Sequence, residues 1–328
     1  MTPMPQLGHG SVFLFPGQGS QHPGMGRDLR VCRRSARSLV MQASDRVGAP
    51  ISEWLERADA ATLADPEVAQ LTIFMMSIVF LEELKQAGRT PVAAAVHSLG
   101  EYSALVATGC LDWQNALDLV AVRGRSMASA ARAQPGAMGA IIGLPIEAVA
   151  ELCADRTEPD RPVVVANVNS ARQAVIAGTP DSVEAVLDQA RSRGALRART
   201  LPVGGAYHTR LMASAEKELA PLIAAAPLRT PRVPMISSIN GRPVTDAEMY
   251  RRLLITQITH PVRWLDTLLT LQRLGAADFV EVGPGRVLSG LVRESDRSAT
   301  QQNVMSALTH AARPSPAMRI RTPTHSEA

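Results

Sequence analysis

The chain has 328 residues, 46% of them hydrophobic and 3% aromatic, with a net charge of +4 and a pI near 9.3. That length suits one large α/β domain with a smaller one inserted in it. Lys85 and Lys217 are the only lysines, and no dense basic run interleaves with aromatics, which argues against nucleic acid as a partner.

Cys32, Cys110 and Cys153 lie far apart and form no metal or redox spacing. Residues 1–10 carry no charged-then-apolar leader pattern. The most apolar stretch, Leu71 to Leu81, is too short to span a bilayer. A soluble cytoplasmic protein with no membrane contact is expected.

Ser11–Phe15 reads as a short buried strand running into Pro16-Gly17-Gln18-Gly19-Ser20-Gln21. The glycines around Gln18 let that backbone approach a ligand closely, and α/β sheets build sites at such strand ends. A phosphate-binding loop is the rival reading, but its lysine and spacing are absent. Helical patterns follow at Gly26–Asp45 and Pro66–Ala87, the second apolar on nearly all sides and so central.

Pro91–Val96 reads as a buried strand and Glu101–Thr108 as a helix, with Ser98 on the turn between them, two residues before Gly100. A turn this tight pushes the serine out at the top of a sheet and aims N–H groups of the helix start at whatever it attacks. That is the geometry of a serine nucleophile in acyl transfer. The bland reading is a serine cap. The usual Gly-x-Ser-x-Gly pattern has Val96 in place of its first glycine. The next helix, Gln114–Arg132, carries Arg123 after an apolar run. Arg123 is either a stem lying along a surface or a buried cation that needs an anion.

After Gln134-Pro135-Gly136 the pattern becomes β-α-β-β-α-β: strands Met138–Leu144, Val163–Val168, Ala174–Gly178 and Ala198–Val203, helices Ile146–Ala154 and Pro180–Ser192. This is the order of a ferredoxin-like unit. The Gly-rich stretch 202–206 returns the chain to the main domain, and His208 follows at once, before the helix Met212–Ala225. A lone histidine is more often structural, but a serine ester mechanism needs a base near neutrality. No acid at a matching loop stands out as its orienter; a backbone carbonyl is the other way to hold it. Pro234–Ser238 and Asp278–Val282 read as further core strands, with helices around Asp246–Ile255 and Val262–Gly275 and Gln257 between these helices. From Ala311 onward no apolar period survives, and a disordered tail is expected. The divisions are 1–134 and 204–310 for the large subdomain, 135–203 for the small one and 311–328 for the tail.

Six motifs then stand in one order: Phe15–Gln21, His97-Ser98-Leu99-Gly100-Glu101-Tyr102, Val122-Arg123-Gly124, Asn167–Ser170 with Val175–Gly178, Gly205-Ala206-Tyr207-His208, and Glu281-Val282-Gly283-Pro284-Gly285. Together they resemble malonyl-CoA:acyl carrier protein transacylases and the related acyltransferases of polyketide synthesis, from about Ser11 to Leu308. The resemblance implies an α/β-hydrolase-like large subdomain with a parallel sheet, a ferredoxin-like small subdomain, and a site in the cleft between them. It implies Ser98 as the nucleophile, His208 as the base, the N–H groups of Gln18 and Leu99 as an oxyanion hole, and Arg123 as the partner of the malonyl carboxylate. It gives Gln257 as the carbonyl that orients the histidine, and Asn169 as a cleft residue. It implies malonyl-CoA or a substituted malonyl-CoA and an acyl carrier protein as partners, a monomer, and no cofactor or metal, the coenzyme A thioester being substrate. Departures are Val96, Tyr207 where phenylalanine or serine often stands, and Leu71 where proline often follows glutamine. They bear on the acyl group preferred. The other readings are a carrier-protein acyl hydrolase using the same Ser–His pair, a malonate-decarboxylase transacylase subunit, and a scaffold that only docks a carrier protein.

Overall fold

The computed structural model describes residues 6–244 and 246–311; the tail expected at 311–328 lies, from residue 312 on, outside the described residues. In chain order the strands are β1 (Ser11–Phe15), β2 (Ala93–Val96), β3 (Ala137–Ile142), β4 (Val163–Ser170), β5 (Gln173–Gly178), β6 (Arg197–Thr200), β7 (Met235–Ile236), β8 (Pro243–Val244), β9 (Asp278–Glu281) and β10 (Thr300–Asn303). They form two sheets, β10-β9-β1-β2-β7-β8 and β4-β5-β3-β6.

The first sheet is parallel from β10 to β7, and only β8 runs antiparallel, against β7. A parallel sheet is covered on both faces, so its strands need apolar residues on both sides. β1 and β2 meet that need: Phe13, Phe15, Ala94 and Val96 face one core cluster, while Val12, Leu14, Ala93 and Ala95 face the other. The second sheet is antiparallel throughout and spans β3 to β6 in the order of a ferredoxin-like unit. The molecule is thus an α/β fold with a parallel sheet in one part and a split β-α-β unit in the other.

Two long helices build the wall behind the elbow. Helix Pro66–Gln86 starts with proline in its first turn, and the Asp65 carboxylate accepts from the N–H groups of Glu67 and Val68. It is buried along most of its length, as its all-round apolar pattern requires. Helix Trp113–Ala133, capped by Asp112, packs against it. Gly124 allows this: a Cβ there would sit 2.8 Å from the Glu67 Cα. The close crossing brings Gln70 of one helix to Arg123 of the other.

The structure corrects several expected elements. The stretch expected as one helix over Gly26–Asp45 is a 3-10 turn, Met25–Val31, followed by helix Arg34–Val47, because the chain is extended at Cys32 and Arg33. Gln257 stands in a 3-10 turn, Gln257–Thr259, at the end of helix Ala247–Thr256. Helices Ile51–Arg57 and Val287–Ser295 and strand β10 were not expected. β10 has no apolar run for a pattern to detect; it is a polar edge strand. Among the described residues no helix is long and apolar enough to cross a membrane.

Candidate active site

β1 and β2 are neighbours, so the loops after them emerge side by side at the carboxyl edge of the sheet. Two glycines let these loops interlock. A Cβ on Gly100 would lie 2.0 Å from the Phe15 carbonyl oxygen, and one on Gly17 would lie 2.4 Å from the His97 carbonyl oxygen. The chain therefore turns from β2 into helix Gly100–Ala107 with Ser98 at φ +50°, a left-handed conformation that costs a non-glycine residue roughly 1–3 kcal/mol. Val96 does not disturb this turn. Its side chain is fully buried in the core beneath the sheet, and the close approach falls to Gly17 and Gly100. The N–H groups of Gln18 and Leu99 donate to no internal carbonyl or side chain among the described residues, which leaves both donors available at the elbow.

His208 is the other non-glycine residue with positive φ among the described residues, at +61°. It follows Gly204-Gly205, where Gly205 lies tight against helix Trp113–Ala133: its Cβ would meet the Ala131 Cβ at 2.8 Å. Thr209 fastens the turn, its hydroxyl donating to the Ala206 carbonyl at 2.7 Å. The ring is held from both sides. Nε2 lies 2.8 Å from the Ser98 hydroxyl, and Nδ1 lies 3.0 Å from each of two backbone carbonyls, Gln257 and His260. Two carbonyls fix the Nδ1–H tautomer, so Nε2 is the acceptor of the serine proton. No carboxylate is needed for that. Burial, helped by the nearby Arg123 charge and opposed by the two carbonyls, lowers the His208 pKa to about 3. The imidazole is therefore neutral at pH 7 and able to accept a proton.

Arg123 resolves to the buried alternative: it is 1% exposed. Its Nη1 donates to Gln70 Oε1 at 2.7 Å, and its Nη2 donates to Gln257 Oε1 at 3.0 Å and to Ser98 Oγ at 3.1 Å. Tyr102 presents its ring 5.7 Å away. Nε has no hydrogen-bond partner, and no acidic side chain forms an ion pair with Arg123 among the described residues. Burial lowers its pKa from the ordinary value, yet a guanidinium remains charged in proteins. A buried cation with neutral neighbours and an unused donor is suited to an anionic partner.

A cavity of about 430 Å³ opens over these groups, lined by Gln18, Ser98, Arg123, Met127, Tyr207 and His208, with the wall of the four-stranded sheet opposite. Tyr207 is buried, and desolvation raises its phenol to about 12, so it is neutral at pH 7. The structure thus brings Ser98, His208, Arg123, Gln18, Leu99 and Gln257 to one place. Asn169 is buried one contact away from the cleft: its Oδ1 lies 3.2 Å from Nε2 of His97, which lines the cavity together with Asn167. Residues two apart on a regular strand share a face, but β4 shifts register between Val165 and Asn167 and again between Val168 and Ser170. Two functional partners escaped the sequence reading. Gln70 was visible as an amide abutting the most apolar stretch of its helix, which is a signal for a buried polar contact. The His260 carbonyl left no signal, since any residue supplies a backbone oxygen.

Residues 12–320 match the acyl transferase domain model. The chain is 39% identical over 286 residues to a malonyl CoA-acyl carrier protein transacylase of Bacillus subtilis, covering 87% of this chain and 90% of that protein. The solved malonyl CoA-acyl carrier protein transacylase of Coxiella burnetii superposes with a TM-score of 0.87 at 31% identity, covering 94% of this chain and 99% of that one. A malonyl-transacylase solved in complex with its type II PKS acyl-carrier protein gives 0.86 at 32% identity, covering 92% and 99%.

Proposed function

The chain belongs to the acyl transferase domain family and is an acyltransferase, and from that premise we propose that it moves a malonyl group from coenzyme A to the phosphopantetheine thiol of an acyl carrier protein, through an ester on Ser98. The observation that carries this reading is the position of one oxygen. Ser98 Oγ lies within hydrogen-bond distance of both His208 Nε2 and Arg123 Nη2. A nucleophile, its base and a carboxylate receptor so share one point. The solved relative bound to its acyl-carrier protein supports the choice of acceptor.

The steps follow from the donors and acceptors. Ser98 Oγ attacks the thioester carbonyl while His208 Nε2 takes the hydroxyl proton. The tetrahedral oxyanion receives the N–H groups of Gln18 and Leu99; each such donor is worth about 3 kcal/mol in the transition state. The intermediate collapses, the C–S bond breaks, and coenzyme A leaves as a thiol with the proton from His208. The carrier thiol then gives its proton to His208 and attacks the Ser98 ester, and the serine regains its proton as the new thioester forms. Arg123 grips the malonyl carboxylate with its planar fork. That pairing also offsets the positive charge that depresses His208, so substrate binding strengthens the base. Gln70 and Gln257 hold the fork from behind. No metal or cofactor takes part in these steps.

Intact-protein mass spectrometry tests the proposal. Mixed with malonyl-CoA, the protein should gain one malonyl mass on Ser98, lose it when holo carrier protein is added, and gain nothing as Ser98→Ala. Steady release of free malonate with no transfer to carrier protein would replace this reading with the hydrolase.

A further inference from the structure

We infer that Glu101, three residues after Ser98, is a positioning residue whose buried carboxyl joins the nucleophile's helix to the segment that aims His208. The inference rests on the Ser98–His208 reading above.

Glu101 stands in the first turn of helix Gly100–Ala107 and is 0% exposed. Its Oε1 accepts from the Ser238 N–H at 3.0 Å and from the Ser238 hydroxyl at 2.9 Å. Its Oε2 accepts from the Tyr250 hydroxyl, which also lies 3.2 Å from the Glu101 carbonyl oxygen. Tyr250 is itself 1% exposed. No basic side chain forms an ion pair with Glu101 among the described residues.

Ser238 and Tyr250 lie on one stretch of chain, and that stretch carries the histidine's supports. Ser238 closes one side of it, its carbonyl accepting from Arg263 N–H at 2.6 Å. Tyr250 sits in helix Ala247–Thr256, which runs directly into the turn bearing Gln257. From that turn Gln257 and His260 offer their carbonyls to His208 Nδ1, and Gln257 Nε2 donates to the Ser98 carbonyl at 2.7 Å. The Glu101 carboxyl therefore holds the segment at two points, Ser238 and Tyr250, from the helix that begins at the nucleophile. The distance between Ser98 and His208 depends on how that helix sits against residues 238–263, and the Glu101 carboxyl, beside the Gln257–Ser98 bond, holds that arrangement.

Chemistry favours a geometric role over a bulk one. A buried carboxyl without an ion pair is costly, and a methionine or leucine would fill similar space without that cost. What an apolar side chain lacks is direction. Three donors converging on two oxygens define an orientation, and a satisfied buried network holds one arrangement and disfavours others. Burial raises the carboxyl pKa, while the donors from Tyr250 and Ser238 oppose that rise.

The test uses the full chain, Glu101→Gln and Tyr250→Phe, and a fluorophosphonate that reacts with the activated serine whatever the acyl group. Glu101→Gln turns one acceptor into a donor facing a donor; Tyr250→Phe removes a single hydroxyl. We expect Glu101→Gln to slow labelling of folded protein by about tenfold or more, and Tyr250→Phe by about threefold. In both variants kcat for transfer should fall in proportion while KM for malonyl-CoA stays within about twofold. Variants that melt at lower temperature yet label at the wild-type rate would reduce Glu101 to a stabilising contact and overturn the inference. If Glu101→Gln does not fold, Tyr250→Phe decides by the same criterion. A wild-type protein inert to the fluorophosphonate would instead sink the Ser98–His208 reading itself.

Discussion

The two turns that meet at the site are built in opposite ways. Ser98 is set at the sheet edge: β2 ends at Val96, the helix begins at Gly100, and Gly100 and Gly17 of the adjoining β1 loop close the turn. His208 is set by strangers. Its Nδ1 partners, Gln257 and His260, lie far along the chain, on a turn that also touches Ser98 and Arg123. Both residues take positive φ, at +50° and +61°. One side chain is thus aimed from the sheet edge where it stands, the other by carbonyls from a distant turn. A nucleophile needs only exposure and nearby N–H donors. A base without an acid needs carbonyls brought to it, and the chain's fold must supply them.

The largest test of this contrast asks whether the two halves act as one. Ser98→Ala and His208→Ala should each lower kcat for malonyl transfer by about 10⁴-fold or more, and the double variant should be no worse than either alone. Additive losses would mean that the locally built half works without the assembled one. Next comes Arg123, which belongs to neither turn but bonds to Gln257 and Ser98 alike. Arg123→Ala should cut the preference for malonyl-CoA over acetyl-CoA by about a hundredfold or more, measured as the ratio of kcat/KM values. Arg123→Lys should not restore it, because an ammonium lacks the planar fork. The smallest effect concerns pH. The base works in its neutral form, and a pKa near 3 keeps it neutral well into acid. Fluorophosphonate labelling of folded protein at pH 5 should stay within about twofold of the pH 7 rate, whereas a histidine at the ordinary value would lose about thirtyfold. A thirtyfold drop would show that the two carbonyls hold the ring in a more solvated place than its burial indicates.

The same contrast explains what the sequence made legible. The parallel strands β1 and β2 are short apolar runs with glycine-rich loops behind them, and a period or a motif reveals them. The elbow is a motif of adjacent residues, so Ser98 and Leu99 could be read directly. Arg123 could not be settled by pattern. Whether an arginine after Leu119-Val120-Ala121-Val122 is buried depends on the helix opposite, and Gly124 against Glu67 is what places it inside. His260 was beyond reach, because its role belongs to a backbone oxygen. β4 shifts register on either side of Asn167 and Val168, which no motif reveals; Asn167 lines the cleft, and Asn169 braces His97, which lines it too. The break at Cys32 and Arg33 was missed because the apolar spacing on either side of it fits one continuous helix.

The inserted sheet is joined to the main body by more than its two linkers. β4 offers its free edge to Val262: Val262 N–H donates to the Ala166 carbonyl and Val168 N–H to the Val262 carbonyl, each at 2.8 Å, and Ser170 donates to Glu294 at 2.7 Å. This seam is stitched two residues beyond His260. The position of the small sheet and that of the turn steadying the imidazole are therefore tied through backbone hydrogen bonds, so the cleft between the two sheets has its hinge-side seam beside the base.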